Sequence, residues 1–294
     1  MDKAVVADAA GGPIRNVSDT ALWVAMYRAY ESERPDALFH DPWARRLAGE
    51  RGQAIVDAMP RGRASGWAMV VRTAVMDELL GECIQRGCRT VLNLAAGLDT
   101  RVFRLELPPA LRWIDADLPD LVAYRRQLMA GARARCDYEA VAIDLHDAAA
   151  RAELFARAGA GGPVLVITEG LLAYLTEAQV AELARLLHVV SGMRWWLIDL
   201  ASPQVLRMLQ RSWGKRLAAA APLQFAPAEG PAFFAPHGWR EAVFRSSFGE
   251  SLRLGRTMRG AWLWRLVMRL LPRRSRERFE RSAGIVLLER DRTA

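Results

Sequence analysis

An α/β fold built on a mostly parallel sheet is what this 294-residue sequence predicts, and three observations lead there. Short apolar runs, Thr90–Leu94 and Val164–Thr168 among them, recur between longer segments of helical spacing, and strands alternating with helices make parallel βαβ units. Several of these runs end in small or acidic residues, as strand ends do at a ligand-binding rim. The composition, 52% hydrophobic and 25% charged, suits a chain with a large buried core.

Taken in order, residues 1–16 are small, polar and glycine-rich, which predicts a loose tail ahead of a single domain over 17–294. A helix begins near Val17, with Ser18 as its cap and Asp19 in its first turn, and carries Leu22, Trp23, Met26, Tyr27 and Tyr30 as an apolar stripe. Residues 39–43 break it, and Pro42 opens a short second helix. A loop over 60–66 precedes a long helix over 67–86, stopped by Gly87. Residues 17–86 thus read as a helical extension, able to serve as a lid.

From 87 to 200 the pattern alternates. Strands are expected over 90–94, 111–116, 138–143, 164–168 and 195–200, with helices over 120–133 and up to about 158 between them. Thr176 and Gln179 form a capping box ahead of a helix that buries Val180, Leu183, Leu187 and Val190. Ser202-Pro203 opens another helix. The stretch 218–236, rich in Ala, Pro and Gly, reads as a mobile connection, 239–245 as a strand, and 284–288 as a strand that closes the sheet edge. Residues 261–271 are apolar with Arg265 and Arg269 four apart, and a basic run follows from Arg273. Such a helix is expected to pack on its own domain with its arginines snorkelled; a membrane surface is the alternative partner for 261–281. Residues 201–294 therefore read as a substrate lid and closing strands.

The net charge is +8 and lysine occurs only at Lys3 and Lys215, so arginine carries the basicity. Arginine suits carboxylate and phosphate ligands, which raises nucleic acid as a partner. The arginines are dispersed except over 273–281, however, without the basic stripe and stacking aromatics such binding needs. No nucleic-acid partner is expected. Cys83, Cys88 and Cys136 make no CxxC pair, which suits a reducing compartment, and no metal site is expected. With no secretory leader or membrane-spanning run, the expected location is cytoplasmic.

The chemistry-bearing residues cluster at the strand ends. After 90–94 come Ala95, Ala96 and Gly97, whose small side chains let a ligand lie against the peptide groups. Asp115 and Asp117 follow the second strand, Asp144 the third and Glu169 the fourth, so these carboxylates are expected along one crevice. A carboxylate after the second strand suits a ribose diol and disfavours a phosphate. Asp144 is placed for an adenine amino group, and Glu169 for a ligand ammonium. The motif 95–99 lacks the glycine spacing of a nicotinamide-dinucleotide loop.

The chain resembles the class I S-adenosylmethionine-dependent methyltransferases, a Rossmann-like fold, and within them the leucine carboxyl methyltransferase family with its bacterial relatives of unassigned or polyketide substrates. The resemblance rests on the segments 17–21, 37–42, 91–101, 115–119, 144–145 and 169–175, in matching order and spacing. It implies S-adenosylmethionine as cofactor, with the Ala95–Gly97 turn against its methionine part and Asp117 on its ribose. Asp144 and the Leu145 backbone would meet adenine, Glu169 the amino group, and Arg72 the carboxylate. The family usually has glycine where this chain has Ala95, which bears on cofactor affinity.

The resemblance further implies an O-methyltransferase acting on a carboxylate or hydroxyl of a small, hydrophobic acceptor. A protein C-terminal carboxylate is the alternative acceptor, and a nucleic-acid-binding protein the alternative of another class. Trp213, Phe225, Phe233, Phe234, Trp239, Trp262 and Trp264 are candidate lid aromatics. None of the four histidines, His40, His146, His188 and His237, is assigned as a catalytic base.

Overall fold

A computed structural model describes residues 17–217, 222–258 and 260–291. The tail expected over 1–16 lies outside the described residues, as do 218–221 and the side chains of Ser18, Trp213 and Trp262.

One seven-stranded sheet organises the chain. Its strands are β1 (Thr90–Leu94), β2 (Arg112–Asp117), β3 (Asp137–Ala142), β4 (Val164–Thr168), β5 (Met193–Ala201), β6 (Trp239–Ser246) and β7 (Ala283–Arg290), in the spatial order β3-β2-β1-β4-β5-β7-β6. The first five run parallel, and β7 pairs antiparallel with both β5 and β6. The sequence reading puts the last strand at the edge. It lies inside instead, and β6 takes the edge. Burial explains the difference: Ile285 to Leu288 are no more than 1% exposed, whereas β6 is half-exposed over most of its length.

The helices are α1 (Val17–Ser32), α2 (Ala44–Ala58), α3 (Trp67–Gln85), α4 (Arg101–Arg104), α5 (Pro119–Leu128), α6 (Ala148–Gly159), α7 (Glu177–Val189), α8 (Pro203–Leu217), α9 (Ser247–Arg253), α10 (Ala261–Leu270) and α11 (Arg273–Glu280). Helix α1 already includes Ser18, which is therefore inside the helix and not its cap. Helix α2 starts two residues after Pro42 and kinks at Gly49, where φ is 57°. Helix α5 stops at Leu128, five residues short of the expected end.

Strand alternation divides the core. Leu92, Val166, Trp196 and Ile198 point to the face covered by α6 and α7. Val91, Leu165, Trp195 and Leu197 point to the face covered by α3. A third cluster joins α1 and α2 to Leu98, Leu121 and Met129, which places the N-terminal helices over the carboxyl ends of the strands. Tyr27 fixes them there, its hydroxyl donating to the Gly62 carbonyl at 3.0 Å and lying 2.7 Å from Ser65 Oγ. Gly66 leaves room for that ring, because a Cβ there would stand 2.2 Å from it.

The connection after α8 is better packed than its composition suggests. Phe225 is 4% exposed, and Phe234, in a 3-10 segment over Gly230–His237, is fully buried. Phe234 and Trp239 sit edge-on to Trp196 at 5.2 and 5.6 Å between ring centres, so these two aromatics belong to the core and not to a lid surface.

Candidate active site

A cavity of about 230 Å³ opens at the carboxyl ends of β1, β2, β4 and β5, with walls from α1, α3 and α8. Five of the seven residues singled out in the sequence line it: Arg72, Ala95, Gly97, Asp117 and Glu169. Asp144 and Leu145 do not. They follow β3, farther along the rim, where the exposed Asp144 carboxylate accepts from the His146 amide at 2.9 Å and lies 2.9 Å from its Nδ1.

The turn after β1 takes its shape from two left-handed residues, Ala95 at φ 51° and Gly97 at φ 57°. Gly97 adopts that region freely, while Ala95 does so at a steric cost of roughly 1–2 kcal/mol. The turn aims the Gly97 amide at Asp117 Oδ2, 2.5 Å away, and the Leu118 amide donates to Oδ1 at 2.7 Å. Burial pushes the Asp117 carboxyl up, more than these two amides pull it down. A carboxylate offers about four lone-pair sites, so Asp117 retains capacity for a diol. Asp115, by contrast, is consumed inside the core by Asn93 Nδ2, Trp113 Nε1 and Arg125 Nη2 at 3.0, 2.8 and 2.6 Å.

Opposite Asp117 lies a network of opposed charges. Arg72 Nε donates to Glu169 Oε1 and Arg72 Nη1 to Asp199 Oδ2, both at 3.0 Å. Asp199 Oδ1 in turn accepts from the Gly170 amide at 2.6 Å. Arg101, 2% exposed, reaches Asp77, Asp99 and Glu169 at 2.6, 2.7 and 2.6 Å. Burial alone would depress the Arg72 guanidinium, but the Asp199 and Glu169 charges outweigh it and hold it up. Burial likewise would raise Glu169, and the Arg101 and Arg72 charges bring it below the usual carboxylate value.

Sequence reasoning missed Asp199, Arg101 and Tyr174 as cavity residues. Asp199 did carry a signal, as the one acidic residue in an otherwise largely apolar strand. Arg101 closes the 91–101 signature without having been singled out. Thr73, next to Arg72, also lines the cavity; it is 1% exposed, and its hydroxyl has no hydrogen-bond partner among the described residues. A buried hydroxyl left unpaired is costly, and a bound polar ligand would satisfy it. No histidine is among the described lining residues; His188 packs edge-on to Trp239 at 6.3 Å.

The family model described as leucine carboxyl methyltransferase matches residues 21–188. A protein of Saccharopolyspora erythraea, provisionally named an S-adenosyl-L-methionine-dependent methyltransferase, is 34% identical over 253 residues, spanning 81% of this chain and 87% of its own. A Streptomyces coelicolor protein with the same provisional name is 34% identical over 251 residues, spanning 81% and 88%. Among solved structures, a DUF574 family protein from Streptomyces avermitilis superposes with a TM-score of 0.57 at 14% identity, over 90% of this chain and 96% of that one. At that identity the likeness concerns the fold.

Proposed function

The chain belongs to the leucine carboxyl methyltransferase family, and on that premise we propose that it is an O-methyltransferase acting on a carboxylate or hydroxyl oxygen of a small, hydrophobic, polyketide-like metabolite. It is an S-adenosylmethionine-dependent methyltransferase by its relatives. The observation that carries the reading is the convergence of Arg72, Asp117 and Glu169 on one cavity beside the left-handed turn.

The residues present fit the cofactor. Asp117 has lone pairs left for the ribose diol, and Arg72 and Glu169, 3.0 Å apart, are complementary to the carboxylate and ammonium of an amino acid. The unpaired Thr73 hydroxyl adds a polar contact for the same end. Bound there, S-adenosylmethionine supplies an electrophilic methyl group, and the protein's task is to align an acceptor oxygen and exclude water. Trp23, Met69 and Leu121 make the cavity wall apolar and suit that task. We assign 17–86 as a helical extension and lid, and the described parts of 201–294 as a substrate lid together with the closing strands β6 and β7. Asp144 and the Leu145 backbone, outside the cavity, remain our assignment for adenine.

A carboxylate acceptor agrees best with the local electrostatics. It is already ionised at neutral pH, whereas a hydroxyl acceptor gains from a base within reach. Of the cavity carboxylates, Asp117 is taken up by the ribose in this reading, Asp99 is paired with Arg101, and Glu169 and Asp199 are both held by Arg72, with Glu169 shifted toward a weaker base. A protein C-terminal carboxylate would meet the same chemistry.

The test is transfer of labelled methyl from S-adenosylmethionine to a panel of hydrophobic carboxylic acids, phenols and a peptide ending in a free carboxylate. Methyl esters release methanol in mild alkali and ethers do not, so lability of the label reports the acceptor group. Label on none of the panel, from protein that binds the cofactor, would remove the small-acceptor reading.

A further inference from the structure

Helix α10 is apolar on two opposite sides. Ala261 and Met268, seven residues apart, are 5% and 6% exposed and face the protein. Leu263 and Leu270, also seven apart, are 50% and 80% exposed. At about 100° per residue, the second pair stands about 200° round the helix from the first. Trp264 is 44% exposed even though its ring stacks on Phe279 of α11, with 5.8 Å between ring centres. A helix on a protein surface normally turns charge outward. This one turns leucine outward.

Charge borders the leucine face. Between 261 and 281 there are seven arginines against two glutamates. Arg273 is paired with Glu277 and Arg281 with Glu241, but Arg274 and Arg278, exposed one turn apart on α11, have no carboxylate partner among the described residues. The topology also gives the surface a location. Helices α9 to α11 join the end of β6 to the start of β7, where Ser246 pairs with Gly284 and Ala283 with Ala201. Ala201 ends β5, two residues after the cavity residue Asp199. Ser275, Arg278 and Phe279 of α11 share a cleft with residues 200–204, which puts α11 at the rim of the sheet that carries the cavity, and the Trp264–Phe279 stack ties α10 to it.

We propose that α10 and α11 seat the protein on an anionic lipid bilayer, with Leu263, Leu270 and Trp264 at the headgroup–acyl boundary and Arg274 and Arg278 on lipid phosphates. A second copy of the chain fits less well, because a two-fold pairing of this face brings its unpaired arginines toward their like. An anionic surface supplies both the apolar layer and the missing negative charge. The proposal does not depend on the methyl-transfer reading, and its test needs no cofactor.

The test is flotation of the full-length protein with vesicles of phosphatidylcholine alone, or of phosphatidylcholine mixed with phosphatidylglycerol. The expected result is flotation with the mixed vesicles only, reversed by high salt. Arg274→Gln with Arg278→Gln should weaken partitioning roughly thirtyfold, and Leu263→Ser with Leu270→Ser should abolish it, both with unchanged melting. Three results overturn the proposal. The wild type stays unbound, it floats equally with both vesicle types, or it is a dimer in solution that the leucine variant converts to monomer.

Discussion

Arg72 and Glu169, 97 positions apart in the chain, meet across the cavity with the guanidinium Nε 3.0 Å from the carboxylate. Asp199 holds the other side of the same guanidinium at 3.0 Å. One arginine thus stabilises two partly buried carboxylates and faces the space where a zwitterionic ligand belongs. Arg72→Ala leaves Asp199 without its cation and Glu169 with Arg101 alone, and breaking a buried pair costs about 3 kcal/mol. The expected outcome is a denaturation midpoint lowered accordingly, together with loss of S-adenosylmethionine binding by calorimetry. Arg72→Lys should recover stability better than binding, since it cannot keep the forked geometry.

Asp117→Asn keeps one acceptor oxygen and loses the charge. Hydrogen bonds to a charged group contribute about 1.5–3 kcal/mol each, so two bonds to a diol predict an affinity roughly a hundredfold or more weaker. Calorimetric titration of wild type and variant measures this, with near-unchanged circular dichroism expected.

The pH dependence follows from the raised Asp117 carboxyl. Cofactor affinity should fall as pH falls, with a midpoint above the ordinary value of 3.8, because the protonated group loses acceptor capacity. Its effect on folding has the opposite sign. A carboxyl whose folded pKa is raised stabilises the fold below its unfolded pKa, and that contribution is lost as pH rises through the folded value. Melting of wild type against Asp117→Asn through the acid range, without ligand, separates this from the binding effect.

Ala95 is the one cavity residue whose backbone argues against its identity. Replacing it by glycine removes the left-handed penalty while loosening the unfolded chain, for a net gain of about 1 kcal/mol. For a chain of this size the melting temperature should rise by about 2 °C. Cofactor affinity should rise or hold; a fall would mean that the Ala95 methyl contacts the ligand favourably.

Phe234→Ala tests the packing of the segment after α8. Removing a fully buried phenylalanine from the Trp196 cluster costs about 3–5 kcal/mol. A loss below about 0.5 kcal/mol, the range of surface substitutions, would show that this segment is not part of the core.

What could be read from the sequence was local. Strands β1 and β4 match their apolar runs residue for residue, and the Thr176–Gln179 capping box forms as its spacing implies. The acids at the ends of β2 and β4 were legible because a parallel sheet puts strand ends side by side. Asp199 was not, because what gives it meaning is Arg72, 127 positions earlier. Composition misled over 218–236, where alanine, proline and glycine surround Phe225 and Phe234, two of the better-buried aromatics. The place of β7 was hidden as well, since an antiparallel strand can join an edge or slip inside it and only the pairing of β6 decides.

Arg101 gives the site its mechanical character. Its three carboxylate partners belong to α3, to the turn after β1 and to the end of β4, so one side chain rivets three separately encoded pieces into one floor. The opposite wall, from α1, Leu209 and Leu223, shares no part in that rivet. Losing that one side chain would uncouple α3, the turn and β4 at once, whatever holds the opposite wall.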